Sequence, residues 1–236
     1  MIGRKVVIAG LAGLLAGASA VAVATGQFGA DPDRQRIEKI VREYVLRHPE
    51  IIPEAMQLLQ DREAGKLVEA NRAAFETPFG SAWAGAADGD VVLVEFFDYA
   101  CGFCRKSNAD IERLLREDKR LKVVWRELPV LGDPSVAAAH ASLSAASQGK
   151  FRPFYDRLFE AGRPTPETIA AAQRAAGIRA GATTPAMQAE IEKNYQLAQA
   201  IRASGTPTFV VGNRVLQGAV GYEALKQAVA DARKGG

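Results

Sequence analysis

Val91-Val92-Leu93-Val94-Glu95-Phe96-Phe97 is a nearly unbroken run of β-forming residues, and after three further residues the chain reads Cys101-Gly102-Phe103-Cys104. A charged, helix-prone stretch follows from Arg105 to Glu117. An apolar run of that length fits a central strand covered on both faces. A strand that feeds a helix through such a motif sets the first cysteine at the helix N-terminus. There, unpaired N–H groups and the positive end of the helix dipole favour a thiolate. The thiolate is the species that attacks a disulfide, so Cys101 is the candidate nucleophile. Cys104, one turn into the helix, is the candidate resolving thiol, and it is expected to be the less accessible of the two.

These are the only cysteines in 236 residues. A disulfide between them closes too short a loop to remove much chain entropy, so the pair makes a poor staple. It reads as chemistry rather than architecture. Half of a zinc site would need further ligands, and His48 and His140 lie at no ligand-like spacing. They read as a helix-end and a helix-packing residue. Cu(I) stays open at Cys101 and Cys104, because two soft thiolates bind it without other ligands. A dithiol that cycles with its disulfide needs no cofactor.

Arg4 and Lys5 precede an apolar run from Val6 to about Ala24, with small residues at Ala22-Val23-Ala24 and, as a second candidate, Ala18-Ser19-Ala20. Residues 1–24 therefore read as a cleaved signal peptide, an uncleaved anchor being the alternative. The expected location is outside the cytoplasm, in the periplasm, where disulfide chemistry is permitted. Loss of Arg4 and Lys5 from 30 basic residues leaves a near-neutral protein against 27 acidic ones, and no basic run suggests nucleic acid as a partner.

Residues 31–76 are predicted helical. Asp31-Pro32 suits a helix start, Ile37, Val41, Tyr44 and Val45 form one stripe, and His48-Pro49 breaks the helix. A second helix is expected from Ile52-Pro53-Glu54, with Met56, Leu59 and Leu67 on one face. Such narrow stripes need a partner: the main domain, a copy of the segment, or the same two helices folded back on each other. Thr77 to Asp90, rich in Gly, Ala and Pro, reads as a boundary. The domain at 79–236 then continues with a strand at Lys122–Glu127 and a mainly helical block, about 133–203, with aromatic packing from Phe151, Phe154, Tyr155, Leu158 and Phe159. Thr208–Val211 and Val215-Leu216 flank a Gly212-Asn213 turn as a hairpin, and a helix from Tyr222 closes the domain. The class is α/β, and the order is β-α-β, a helical insert, then β-β-α.

Gly205-Thr206-Pro207-Thr208-Phe209 puts a proline immediately before a strand, which fits an edge or a cis bond in a tight turn. Together with the Cys101–Cys104 motif behind Val94-Glu95-Phe96-Phe97 and the helical insert, it resembles the DsbA-type branch of the thioredoxin superfamily, over about Val91 to Ala230. The resemblance implies a thioredoxin fold in which Pro207 is cis and faces the cysteines, while Thr206 helps hold the substrate's extended backbone beside Gly102 and Phe103. It implies that Glu95 is a buried acid assisting proton transfer at Cys104. A strand-edge charge reaching solvent is the plain alternative for Glu95. The sequence departs from the best-known oxidases of that family, which carry Pro-His between the cysteines and Val before the proline. Gly102-Phe103 and Thr206 look more like the isomerase relatives, so a milder oxidant is expected.

Ile37-Glu38-Lys39-Ile40-Val41-Arg42-Glu43-Tyr44, His48-Pro49-Glu50 and Pro53-Glu54-Ala55 resemble the N-terminal segment of ScsC-like proteins, the copper-resistance relatives of DsbA. That likeness implies an oligomerisation segment, a homo-oligomer with a trimer expected, and shuffling of wrong disulfides. Exported proteins with disulfides or thiols are then the substrates, and a membrane-bound thiol reductase is the electron donor. A monomeric DsbA-like dithiol oxidase and a Cu(I)-binding copper-tolerance protein are the alternatives.

Overall fold

The structure is a computed structural model that describes residues 32–179 and 181–234; the candidate signal peptide and Asp31 lie outside them. The chain divides into two compact units, Met1–Gln57 and Leu58–Gly236. The described elements are α1 (Pro32–Arg47), α2 (Ile51–Ala70), α3 (Arg72–Glu76), β1 (Trp83–Gly85), β2 (Val91–Phe97), α4 (Gly102–Glu117) and β3 (Leu121–Glu127). They continue as α5 (Asp133–Ser147), α6 (Phe151–Ala161), α7 (Pro166–Ala175), α8 (Pro185–Ala200), β4 (Thr208–Val211), β5 (Arg214–Gln217) and α9 (Tyr222–Lys234).

In the N-terminal unit, α1 ends at Arg47 before His48-Pro49, and Ile37, Ile40, Val41 and Tyr44 stay exposed along it. The ion pairs Arg34–Glu38 at 2.9 Å and Arg47–Glu43 at 3.6 Å follow helical spacing. The three residues expected to share a face of the second helix differ in environment: Met56 and Leu59 are exposed, whereas Leu67 is half-buried. Val68, not singled out by the pattern, is fully buried.

The larger unit is built on a five-stranded sheet in the order β1-β3-β2-β4-β5. β2 runs parallel to β3, in the register Glu95↔Trp125 and Phe97↔Glu127. β4 is antiparallel to β2, and β5 to β4. One correction concerns a strand. The stretch expected to be only a boundary contains β1, whose Trp83 pairs with Val124. A further short helix, α3, follows Asn71. The Gly212-Asn213 hairpin turn forms as expected, with Gly212 at a positive φ of 57°.

Alternation along the strands creates two cores. Val94, Phe96, Val124 and Val210 pack with Val68, Phe75, Ala198 and Ile201 on one face. Leu93, Phe97, Val123, Trp125 and Phe209 face the other, with Tyr99, Cys104, Ile111, Leu158 and Leu225. The aromatic residues predicted for the insert join this second core. Tyr155 has ring neighbours in Phe97, Trp125 and Phe159 at centroid separations of 5.3, 5.2 and 4.8 Å. This is the α/β thioredoxin fold with a helical insertion, preceded by an N-terminal helical segment. It delivers the C-terminal ends of β2 and β3 to one edge, where the cysteines lie.

Candidate active site

The turn that presents Cys101 is built by the residues just before it. The Asp98 carbonyl accepts the Cys101 N–H at 3.0 Å, and the Asp98 carboxylate accepts the Ala100 N–H at 2.8 Å. Cys101 adopts an extended conformation as the N-cap of α4, which begins at Gly102, so the motif opens the helix as expected. Both cysteines are free thiols; Cys101 keeps 6% of its surface exposed and Cys104 none.

Pro207 follows a cis peptide bond from Thr206, and the Cys101 thiol donates to the Thr206 carbonyl at 3.1 Å. The fold thus brings Cys101, Cys104, Thr206 and Pro207 together although about a hundred residues separate the two halves. Gly102 has open space at its Cβ position, and the Phe103 ring is 66% exposed. Both therefore border the accessible side of the site.

Charge is distributed unequally between the thiols. A hydrogen bond from Cys104 lowers Cys101 from the ordinary 9.0 to about 5, outweighing its burial, with the Thr206 side chain and the N–H groups of Cys104 and Phe103 adding to the effect. Burial pushes Cys104 far up, and the hydrogen bond it gives Cys101 and the charge on Glu95 push it further. The pair is therefore one nucleophilic thiolate and one retained proton at neutral pH.

Glu95 is completely buried in the central strand, so the strand-edge alternative does not hold. Its neighbours across the ladder, Trp125 on β3 and Phe209 on β4, are themselves buried. Neither carboxylate oxygen has a partner at hydrogen-bonding distance. Burial raises this group from 4.5 to about 8; the nearby Trp125 and Tyr155 side chains ease the shift, and the charge on Cys101 adds to it. A carboxyl that titrates near neutrality beside a buried thiol is suited to hold or release a proton there.

His140 lies in α5 with its Nδ1 buried and unpartnered, and His48 follows α1 with its Nδ1 3.2 Å from Glu50. Among the described residues no group of three or more His, Cys, Asp or Glu side chains is placed to hold a metal ion. Sequence reasoning missed Asp98, Trp125 and Tyr155. Asp98 carried one legible signal: a charged residue between an apolar strand and a cysteine motif.

The DSBA-like thioredoxin domain model matches residues 92–230, and the copper resistance protein ScsC N-terminal domain model matches residues 33–65. Among curated proteins, a Na(+)/H(+) antiporter NhaA 1 from Salinispora arenicola is 30% identical over 165 residues, which cover 64% of this chain and 24% of that protein. The chain spans about a quarter of the length of the curated relatives it matches first. Among solved structures, a linker-deletion mutant of Proteus mirabilis ScsC superposes with a TM-score of 0.70 at 25% identity, covering 89% of this chain and 99% of that one. A thioredoxin-like oxidoreductase from Silicibacter pomeroyi gives a TM-score of 0.65 at 34% identity, covering 70% and 98%. The family model spans more than half of the sequence and contains both cysteines and the cis proline, so the chain belongs to the DSBA-like thioredoxin domain family.

Proposed function

We propose that this protein is a periplasmic thiol–disulfide oxidoreductase that reduces and isomerises disulfides of exported proteins. The observation that carries the reading is the asymmetric thiol pair: Cys101 at about 5 and touching Thr206 beside cis Pro207, Cys104 sealed beneath it. The Cys101 thiolate attacks one sulfur of a substrate disulfide. That S–S bond breaks, a mixed disulfide forms, and the departing sulfur takes up a proton. In isomerisation a substrate thiolate then displaces Cys101. In reduction Cys104 loses its proton to Glu95 and attacks the Cys101 sulfur. This frees the second substrate thiol and leaves a Cys101–Cys104 disulfide, two electrons having passed to the substrate.

Isomerisation requires Cys101 to be reduced, so a membrane-bound thiol reductase supplies electrons. Thr206 and Pro207 align the substrate backbone, and Gly102 and Phe103 meet its side chains. The ScsC-like N-terminal segment, with its exposed apolar stripe, supports a homo-oligomer, with a trimer as the expected form, that holds several thiolates around one substrate.

The reduced protein is expected to reactivate a scrambled-disulfide substrate catalytically, and Cys101→Ser to abolish this. Oxidation of reduced substrate by the disulfide form, with no reactivation by the dithiol form, would instead establish a dithiol oxidase and remove the isomerase assignment.

A further inference from the structure

Gln217 stands on β5, the strand at one edge of the sheet, where a glutamine ordinarily meets only water. Here both ends of its amide are engaged. The Oε1 atom accepts the Ser204 N–H at 3.1 Å, the Ser204 hydroxyl at 3.2 Å and the Thr208 hydroxyl at 3.1 Å. The Nε2 atom donates to the Arg202 carbonyl at 3.4 Å. Register explains the reach: Gln217 lies directly opposite Thr208, so the two side chains share a face of the sheet. The next residue, Gly218, donates its N–H to the Pro207 carbonyl at 2.8 Å.

The segment gripped in this way is the one that carries Thr206 and cis Pro207. It leaves α8 through Arg202, at a positive φ of 53°, and the Arg202 and Ala203 N–H groups close the helix on the Gln199 and Ala198 carbonyls. From Ser204 to Thr206, among the described residues, no backbone N–H reaches a backbone carbonyl. Side chains hold this stretch instead: the Thr208 hydroxyl faces the Gly205 carbonyl at 2.8 Å, and Gln217 holds Ser204. The Thr206 carbonyl then meets the Cys101 thiol at 3.1 Å. A primary amide suits the position, because it accepts at one end and donates at the other.

Building on the proposed thiol–disulfide activity, we infer that Gln217 is a positioning residue that fixes Thr206 and Pro207 over Cys101 by holding Ser204 and Thr208, so that a peptide disulfide arrives with its backbone already aligned to the thiolate. The chemistry is the exchange step above. Gln217 contacts neither sulfur, and its effect falls on disulfides that use the aligning loop.

The test uses the reduced full chain at neutral pH with two probes: a short peptide disulfide, and bis(hydroxyethyl) disulfide, which has no peptide backbone to align. The second-order rate constant for mixed-disulfide formation is measured with each. Cys101, at about 5, is then almost wholly thiolate, so a modest change in its acidity leaves both rates unmoved. Gln217→Met keeps the length of the side chain and loses both hydrogen-bonding ends. It is expected to slow the peptide reaction about tenfold, short of the roughly hundredfold cost of a misplacement of about 1 Å. The reaction with bis(hydroxyethyl) disulfide stays within about twofold, since it draws nothing from alignment. Gln217→Glu keeps the acceptor for Ser204 and Thr208 and recovers most of the peptide rate. An unchanged peptide rate in Gln217→Met, or equal slowing of both probes, overturns the inference and leaves the proposed activity standing. A Gln217→Glu protein as slow as Gln217→Met overturns it as well. If the wild-type protein reacts with neither probe, the proposed activity fails and this inference fails with it.

Discussion

At the residue scale, the site turns on where three protons sit. Cys101 loses its proton near pH 5, because its thiolate gains a hydrogen bond from Cys104. Ultraviolet titration of the reduced protein should therefore show a thiolate midpoint near 5. Cys101→Ser should remove it, and Cys104→Ser should move it upward by weakening the largest stabilising contact. A midpoint near 9 in the wild type would refute this account. Linkage fixes the sign for stability: a group whose pKa is depressed on folding stabilises fully above its unfolded value, and that contribution is lost as pH falls through about 5. Glu95 behaves oppositely. Raised to about 8 by burial, it binds its proton more tightly when folded, so stability falls as pH rises from 4.5 to about 8. Glu95→Gln should flatten that limb of a melting-temperature profile and slow the Cys104 resolution step. A profile that does not change would mean that Glu95 keeps its proton throughout. The cysteine pair and Pro207 were legible because each sits in a short motif with a fixed strand or helix beside it. The burial of Glu95 was legible from the family resemblance and not from the pattern, since a run apolar on both faces gives no alternation from which to read an inward residue. Asp98 escaped for a related reason: its three amide partners come from segments thirty residues apart.

At the scale of elements, one buried arginine ties the helices on one face of the sheet to its central strands. Arg126 of β3 is 1% exposed, and it donates to the carbonyls of Phe75 at 2.8 Å and Thr77 at 2.7 Å. It also donates to Glu190 at 2.7 Å and Asn194 at 2.9 Å on α8. These bonds satisfy carbonyls that the short helix α3 leaves unpaired at its C-terminus. In the sequence Arg126 stands near the end of an apolar strand and looks like a residue reaching solvent. Only the arrival of α3 and α8 over the sheet gives it an interior full of acceptors. β1 was likewise hidden, because three residues in a Gly/Ala-rich stretch show no periodicity until Trp83 pairs with Val124. Arg126→Met would leave those carbonyls without their donor and Glu190 with only Lys193, 3.6 Å away. Removing one partner of a buried pair costs about 3–5 kcal/mol, so urea unfolding should show a drop of that order. A change under about 1 kcal/mol would mean that water replaces the guanidinium at little cost.

At the scale of the whole molecule, the N-terminal unit and the thioredoxin-fold unit pose different stability problems. The latter buries a complete core on each face of its sheet. The former leaves Ile37, Ile40, Val41 and Tyr44 between 53% and 60% exposed on a helix of 16 residues. Its exposed ion pairs contribute only about 0.3–0.5 kcal/mol each. Burial of such side chains contributes roughly 1.5–3 kcal/mol apiece, so copies meeting along the stripe would dominate the energetics. Sedimentation of the full chain should therefore give a mass that is a multiple of 25.2 kDa, and Val41→Glu with Tyr44→Glu should return it to one chain. The Cys101 thiolate should still titrate near 5 in that variant, because its stabilising contacts all come from α4 and Thr206. Reactivation of a scrambled-disulfide substrate should nevertheless fall, since a lone thiolate must rebind after each failed exchange, whereas clustered ones attack at high effective concentration. A monomeric wild type, or a variant that dissociates yet reactivates as well as the parent, would separate disulfide isomerisation from the N-terminal helices altogether.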